Sequence, residues 1–144
     1  MNVIEGTGEI VIEPDWSAYT KLPIEKSQAS EHWRAVTSDL RSRNILSAGN
    51  THAIVRLVLT YIVYDRAAAE AAKSGMVLKP KRGNPKAIAR VSPHYTVMKE
   101  AASTAASMET ELGLSPRHRN SAAPVQKRAD RRTGADAYLK PRSA

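Results

Sequence analysis

No cysteine occurs among the 144 residues, which excludes disulfides and thiolate metal sites and is consistent with an intracellular life. Phenylalanine is absent too, and aromatic residues make up only 5% of the chain. With alanine abundant, that balance favours close-packed helices over the β-branched, aromatic surfaces of a sandwich. Long apolar runs are also missing. The longest, Ala53 to Tyr64, is interrupted by Arg56 and Thr60 and is too short to span a bilayer. The first residues show neither the positive start nor the apolar run of a targeting segment, so no membrane partner is expected. No phosphate-loop lysine pattern appears. Gly6-Thr7-Gly8 has no strand and helix around it that would make it a phosphate cradle. The four histidines, His32, His52, His94 and His118, are too scattered in sequence to form a local metal motif. The carboxylates lie in an acidic N-terminal stretch and along helix surfaces, where solvated charge outweighs acid–base catalysis as a reading. Neither a metal, a cofactor nor a catalytic residue is expected.

Positive charge, by contrast, is plentiful. Lys and Arg number 22 against 14 Asp and Glu, a formal net charge of +8. The sign is uneven, because residues 1–25 carry five acids and one base while the remainder is strongly basic. A polyanion is the natural partner of such a chain, and neutralising nucleic-acid phosphates is the natural way to use it.

Punctuation is clearest between Ser92 and Arg119. Ser92-Pro93 reads as an N-cap followed by proline in the first helical position, where its missing N–H costs nothing. Tyr95, Met98, Ala102, Ala105 and Leu112 then share a stripe. Gly113 supplies the left-handed residue that closes a helix, with Leu114 folding back on the last turn. Ser115-Pro116 repeats the start signal, predicting a short further helix that carries Arg117, His118 and Arg119. Upstream, Ala29, Trp33, Val36 and Leu40 mark an amphipathic helix over about residues 28–43, with Ser27 as cap and Trp33 in the core. Asn44 ends it, Ile45 and Leu46 tuck in behind, and Ser47 caps a second helix over about residues 48–74 that Gly75 terminates. That second helix is the most apolar element. Ile54, Leu57, Tyr61 and Tyr64 line one side and Val55, Leu59 and Ile62 another, more apolar surface than one partner helix covers. At ~1.5 Å per residue it reaches roughly 40 Å, too long for the recognition helix of a compact helix-turn-helix module. Ile54, Leu57, Val58, Tyr61, Tyr64, Tyr95 and Met98 are therefore expected at a contact between subunits.

Between the second and third helices, Met76 to Leu78 and Ala87 to Val91 are short apolar runs flanking Pro80-Lys81-Arg82-Gly83-Asn84-Pro85. The pattern predicts a hairpin with a basic tip. Lys79, Lys81, Arg82, Lys86 and Arg90 are its candidate phosphate contacts, joined by Arg117 and Arg119 after the third helix. Beyond Asn120, Lys127, Arg128, Arg131 and Arg132 sit among small residues in a tail whose composition predicts disorder, with Tyr138-Leu139 as a docking anchor. The chain thus divides into an acidic, flexible arm (1–26) that contributes nothing to the core, a helical oligomerisation and DNA-recognition core (27–119), and a basic tail (120–144). Pro14 and Pro23 are read as breakers in the arm.

Over roughly residues 27–120 the sequence resembles the small terminase subunits of tailed bacteriophages, in the branch whose third helix ends in Glu-Leu-Gly-Leu-Thr-Pro followed by basic residues. Here the segment reads Glu111-Leu112-Gly113-Leu114-Ser115-Pro116-Arg117-His118-Arg119. Ser92-Pro93 stands where that family usually has Asn-Pro, and Tyr61, Tyr64, Trp33 and Leu40 continue the match backward. Ser115 replaces threonine and Ser92 replaces asparagine, both keeping a capping side chain; Arg117-His118 replaces small residues. The resemblance implies a non-enzymatic packaging factor in the host bacterial cytoplasm. Such a factor forms an oligomeric ring, binds double-stranded viral DNA, and brings it to the large terminase subunit, which carries the ATPase and nuclease.

The expected fold is mainly α: an N-terminal helix, a long antiparallel helix pair, and a basic hairpin-like connection between them. Two other functions fit the same residues. A dimeric transcriptional regulator or nucleoid protein would bind DNA with two-fold symmetry, and a structural adaptor would use the basic tail to dock an acidic protein.

Overall fold

A computed structural model describes residues 11–80, 83, 86 and 88–117. Three helices and one two-stranded ribbon follow in order: α1 (Pro23–Ser42), α2 (Thr51–Ser74), β1 (Val77–Leu78), β2 (Arg90–Val91) and α3 (Pro93–Glu111). Short 3₁₀ turns at Trp16–Ala18 and Ala48–Asn50 precede α1 and α2. The mainly α expectation holds, with α2 and α3 as the antiparallel pair and α1 packed on α2.

α1 begins earlier than its apolar pattern indicates. Leu22 takes the cap position in extended conformation and Pro23 is the first helical residue, so Pro23 starts the helix rather than breaking the chain. Ser27 lies inside it. Buried Ala29, Trp33, Val36 and Leu40 recur every three or four residues and face α2. The helix ends in a double hydrogen bond, Asn44 N–H to Arg41 O and Ile45 N–H to Leu40 O, both 3.0 Å. Asn44 itself is left-handed, φ 56°, a conformation asparagine tolerates better than most side chains. Ile45 and Leu46 are buried behind it, as expected.

The same closure recurs at the end of α3. Leu114 N–H donates to Glu109 O at 2.8 Å and Gly113 N–H to Thr110 O at 3.1 Å, with Gly113 at φ 74°. Beyond it, Ser115 is a bend and Pro116–Arg117 a turn. The start signal at Ser115-Pro116 is thus followed by a turn over the described residues, and His118 and Arg119 lie outside them.

Residues 11–26 are not the loose arm that their charge suggests. Trp16 is 5% exposed and joins the core, its ring meeting Trp33 edge-on at 6.0 Å. Asp15 accepts a hydrogen bond from Ser17 N–H to form the turn that presents it, and Trp16 Nε1–H donates to Glu13 at 2.8 Å. Such an aromatic pair contributes about 0.5–1.5 kcal/mol beyond its buried area. Glu25, also buried, accepts two hydrogen bonds from the Arg66 guanidinium at 2.7 and 2.8 Å, tying the start of α1 to α2. These bonds hold its carboxyl below the ordinary carboxylate range.

Candidate assembly and nucleic-acid interfaces

The apolar residues of α2 are divided between the protomer and its surroundings. Ile54, Leu57 and Val58 are fully buried against α1 and the base of α3. They belong to the protomer core, which corrects their placement on an exposed contact face: α1 and the segment around Trp16 supply cover that helix pairing alone would not. Farther along, Tyr64 is 37% exposed while Tyr95 and Met98 are half-buried. The α3 stripe is shifted from its expected position by one residue. Ala101 and Ala105 are buried and Ala102 is exposed, so α3 meets α2 through alanines.

Two opposite sides of the α2–α3 layer carry different chemistry. Tyr61 and Val63 are two residues apart on a helix, hence about 200° apart around its axis. On the Val63 side, Leu59, Thr60, Val63, Val97, Glu100 and Thr104 line an open groove of about 300 Å³. On the Tyr61 side, the phenol donates to Glu109 Oε1 at 2.6 Å, while His32 Nε2 lies 2.8 Å from Asp65 Oδ2 with its ring 5.0 Å from that of Tyr61. Burial together with the carboxylate raises the Tyr61 phenol above its usual range. This polar cluster spans all three helices and positions them. Among the described residues no group of three or more His, Asp and Glu could hold a metal ion, and no helix is long and apolar enough to cross a membrane.

At the far end of α2 the chain enters the ribbon. Gly75 takes φ 82° at the helix end and Gly83 takes φ 101° in the turn, conformations L-side chains rarely adopt. Val77 pairs with Val91 and Leu78 with Arg90 in an antiparallel ladder, and Ser92 N–H extends it with a 2.8 Å bond to Met76 O. Ser92 takes the N-cap position of α3 without a side-chain capping bond; its buried hydroxyl has no partner among the described residues. Both faces of the ribbon are open: Met76, Val77, Ile88 and Val91 are 55–81% exposed. Lys79, Lys86 and Arg90 are exposed beside them. The hairpin expected from sequence is present, and it brings cations and apolar side chains together at the tip of a helical stalk. Its neighbours Lys81 and Arg82 lie outside the described residues, as do Arg119, Lys127, Arg128, Arg131, Arg132, Tyr138 and Leu139. Arg117 is exposed in the turn after α3, at the opposite end of that helix from the ribbon.

Sequence reasoning missed the Trp16 anchor and the Glu25–Arg66 pair. Tryptophan beside a turn-forming Asp15 was the available signal for the first. The second joins residues 41 apart and leaves no local mark.

Comparison with curated proteins and with solved structures finds no match. The family model described as "Phage terminase, small subunit" matches residues 29–129, more than half of the chain. That span takes in most of α1, all of α2, the ribbon and α3. The chain therefore belongs to the phage terminase small subunit family.

Proposed function

We propose that this protein is the DNA-recognising, non-catalytic subunit of a phage packaging machine. It assembles as a homo-oligomeric ring, binds double-stranded viral DNA through the basic ribbon and tail, and hands it to the large terminase subunit in the host bacterial cytoplasm. The observation that carries the reading is the ribbon itself: a cationic, solvent-facing hairpin held at the end of an antiparallel helix pair in a chain of this family. Phosphate neutralisation needs cations displayed on a fixed scaffold, and the α2–α3 stalk provides one. Self-association follows from Val63, Tyr64 and Val97, which are 37–41% exposed along the stalk and cost least when a second copy covers them. Tyr95 and Met98 belong to the same proposed contact. Docking of the large subunit is assigned to the Tyr138-Leu139 segment.

Native mass spectrometry and a DNA-binding salt titration test this together. A closed oligomer is expected at micromolar concentration, and replacing Lys79, Lys81, Arg82, Lys86 and Arg90 by alanine should flatten the salt dependence by about 0.9 in slope per lost phosphate contact. A dimer with two-fold symmetry would favour a transcriptional regulator. An unchanged slope would move DNA binding to Lys127, Arg128, Arg131 and Arg132, or to Arg117 and Arg119.

A further inference from the structure

The ribbon is incomplete as a structural unit. A two-stranded hairpin is marginal in water without a third strand or a packed layer. Here the Val77–Val91 pair and the Leu78–Arg90 pair lie on opposite faces with all four residues exposed. Lys79 and Arg90 have no ion-pair partner among the described residues. The complementary occupant is therefore acidic and apolar, and able to lie extended.

One segment of the chain has that composition. Residues 1–10 hold Val3, Ile4 and Ile10 together with Glu5 and Glu9, and no base. They precede the span matched by the family model. The chain that leads back to them runs along α1 toward its C-terminal end, since Thr20 bonds Glu25 and the earlier Glu13 bonds Ser30. Glu25 meets Arg66 in the stalk half of α2, whereas Arg43 at the other end of α1 donates to Gly113 O at the base. The arm thus leaves its own protomer heading away from its own ribbon. Fully extended, ten residues span at most ~33–36 Å, enough to cross from one subunit to the next.

We propose that residues 1–10 of a neighbouring copy cover the ribbon, an inference that rests on the self-association proposed above. Val3, Ile4 and Ile10 lie against Val77 and Val91, while Glu5 and Glu9 stand opposite Lys79 and Arg90. Extended backbone added to a free ribbon edge supplies the missing layer. The arm also occupies the cations that DNA phosphates would use, so it restrains DNA binding until DNA displaces it.

The absence of native cysteine makes the test clean. Full-length Ile4→Cys and Val91→Cys chains, each folded and then mixed under oxidising conditions, are expected to give a disulfide-linked heterodimer, with the yield reduced by Glu5→Lys and Glu9→Lys. Deleting residues 2–10 should tighten binding to a duplex at low salt by roughly threefold to tenfold, the fold-change from releasing two exposed ion pairs. Native mass spectrometry of the same samples separates the failures. A ring that persists while the heterodimer is absent, or that binds DNA equally well after the deletion, overturns the arm proposal alone. A disulfide that forms only within a doubly substituted single chain also overturns it. A monomer overturns the self-association reading and this proposal with it.

Discussion

The two halves of α2 pack by different rules. In its first half Ile54, Val55, Leu57, Val58 and Ile62 meet Trp33, Val36 and Leu40 of α1, Trp16 of the preceding segment and Leu112 after α3. In its second half the buried positions are Ala67 and Ala71, facing an α3 that contributes Ala101. Small side chains bring helix axes close but remove little apolar area from water, at roughly 25 cal/mol per Å². The stalk also exposes the larger residues Val63, Tyr64 and Val97. The base is thus stabilised from within the protomer, and the stalk is built to be completed from outside it.

Substitutions of large residues in the two regions give the sharpest contrast. Trp33→Ala removes a 3% exposed side chain from the middle of the base and should cost about 3–5 kcal/mol in urea unfolding. Val97→Ser, on the 41% exposed stalk surface, should cost less than about 0.5 kcal/mol in dilute, dissociated protein. It should instead weaken self-association, read by native mass spectrometry across a concentration series. Equal unfolding losses for the two would erase the distinction.

An intermediate effect is expected where the stalk is closest packed. Ala101→Leu inserts a branched side chain at a 7% exposed position between α2 and α3. The overpacking should destabilise by about 1–3 kcal/mol. Because it pries the two helices apart, it should also change the oligomer distribution. A stable variant with parent-like assembly would show that the alanine contact has room to spare.

Local chemistry decided which of these features were legible in the sequence. Asn44 and Gly113 announce helix ends because the left-handed conformation is a property of one residue, and both are left-handed here. The hairpin was legible for the same reason, from Gly75, Gly83 and the prolines around them. Pro23 was ambiguous, since proline both stops and starts helices and only the following packing decides. The α3 stripe slipped by one residue because alanines at 101, 102, 105 and 106 fit two neighbouring faces almost equally. Ile54, Leu57 and Val58 were assigned to a partner because apolarity records that a surface must be covered and not by what. The cover was Trp16 and α1, contacts too distant in sequence to be seen in periodicity. The cationic site was legible as charge, whereas its exposed apolar companions emerged only with the ribbon's burial pattern.

The Glu25–Arg66 pair sharpens the comparison from the other side, because it ties α1 to α2 where the base gives way to the stalk. Glu25 is 4% exposed and Arg66 keeps much of its side chain in water. Losing the charge-assisted bonds in Glu25→Gln should cost about 1–3 kcal/mol at neutral pH. The folded-state pKa of Glu25 is depressed, chiefly by the Arg66 bonds and then by Thr20. Its contribution is therefore present above the unfolded value near 4.5 and is lost as pH falls through the lower folded value. The variant should accordingly lose stability at pH 7 and show a shallower acid limb below that value. An acid limb identical to the parent's would mean that Glu25 titrates as it does unfolded.

Tyr61 carries the smallest expected effect and tests whether base and stalk are coupled at all. Its phenol donates to Glu109 on α3 at 2.6 Å, while its ring packs 5.0 Å from His32 on α1, so one side chain touches all three helices. Tyr61→Phe keeps the ring and deletes the donor, which should cost about 1–2 kcal/mol because the acceptor is charged and the site only partly buried. Glu109→Gln keeps an acceptor but removes the charge. If the bond joins the helices as the geometry indicates, the double variant should lose less than the two single losses added together, by at least about 0.5 kcal/mol. Additive losses would mean that Tyr61 holds the junction through its ring alone, leaving the α2–α3 stalk free to move on the base as a separate lever.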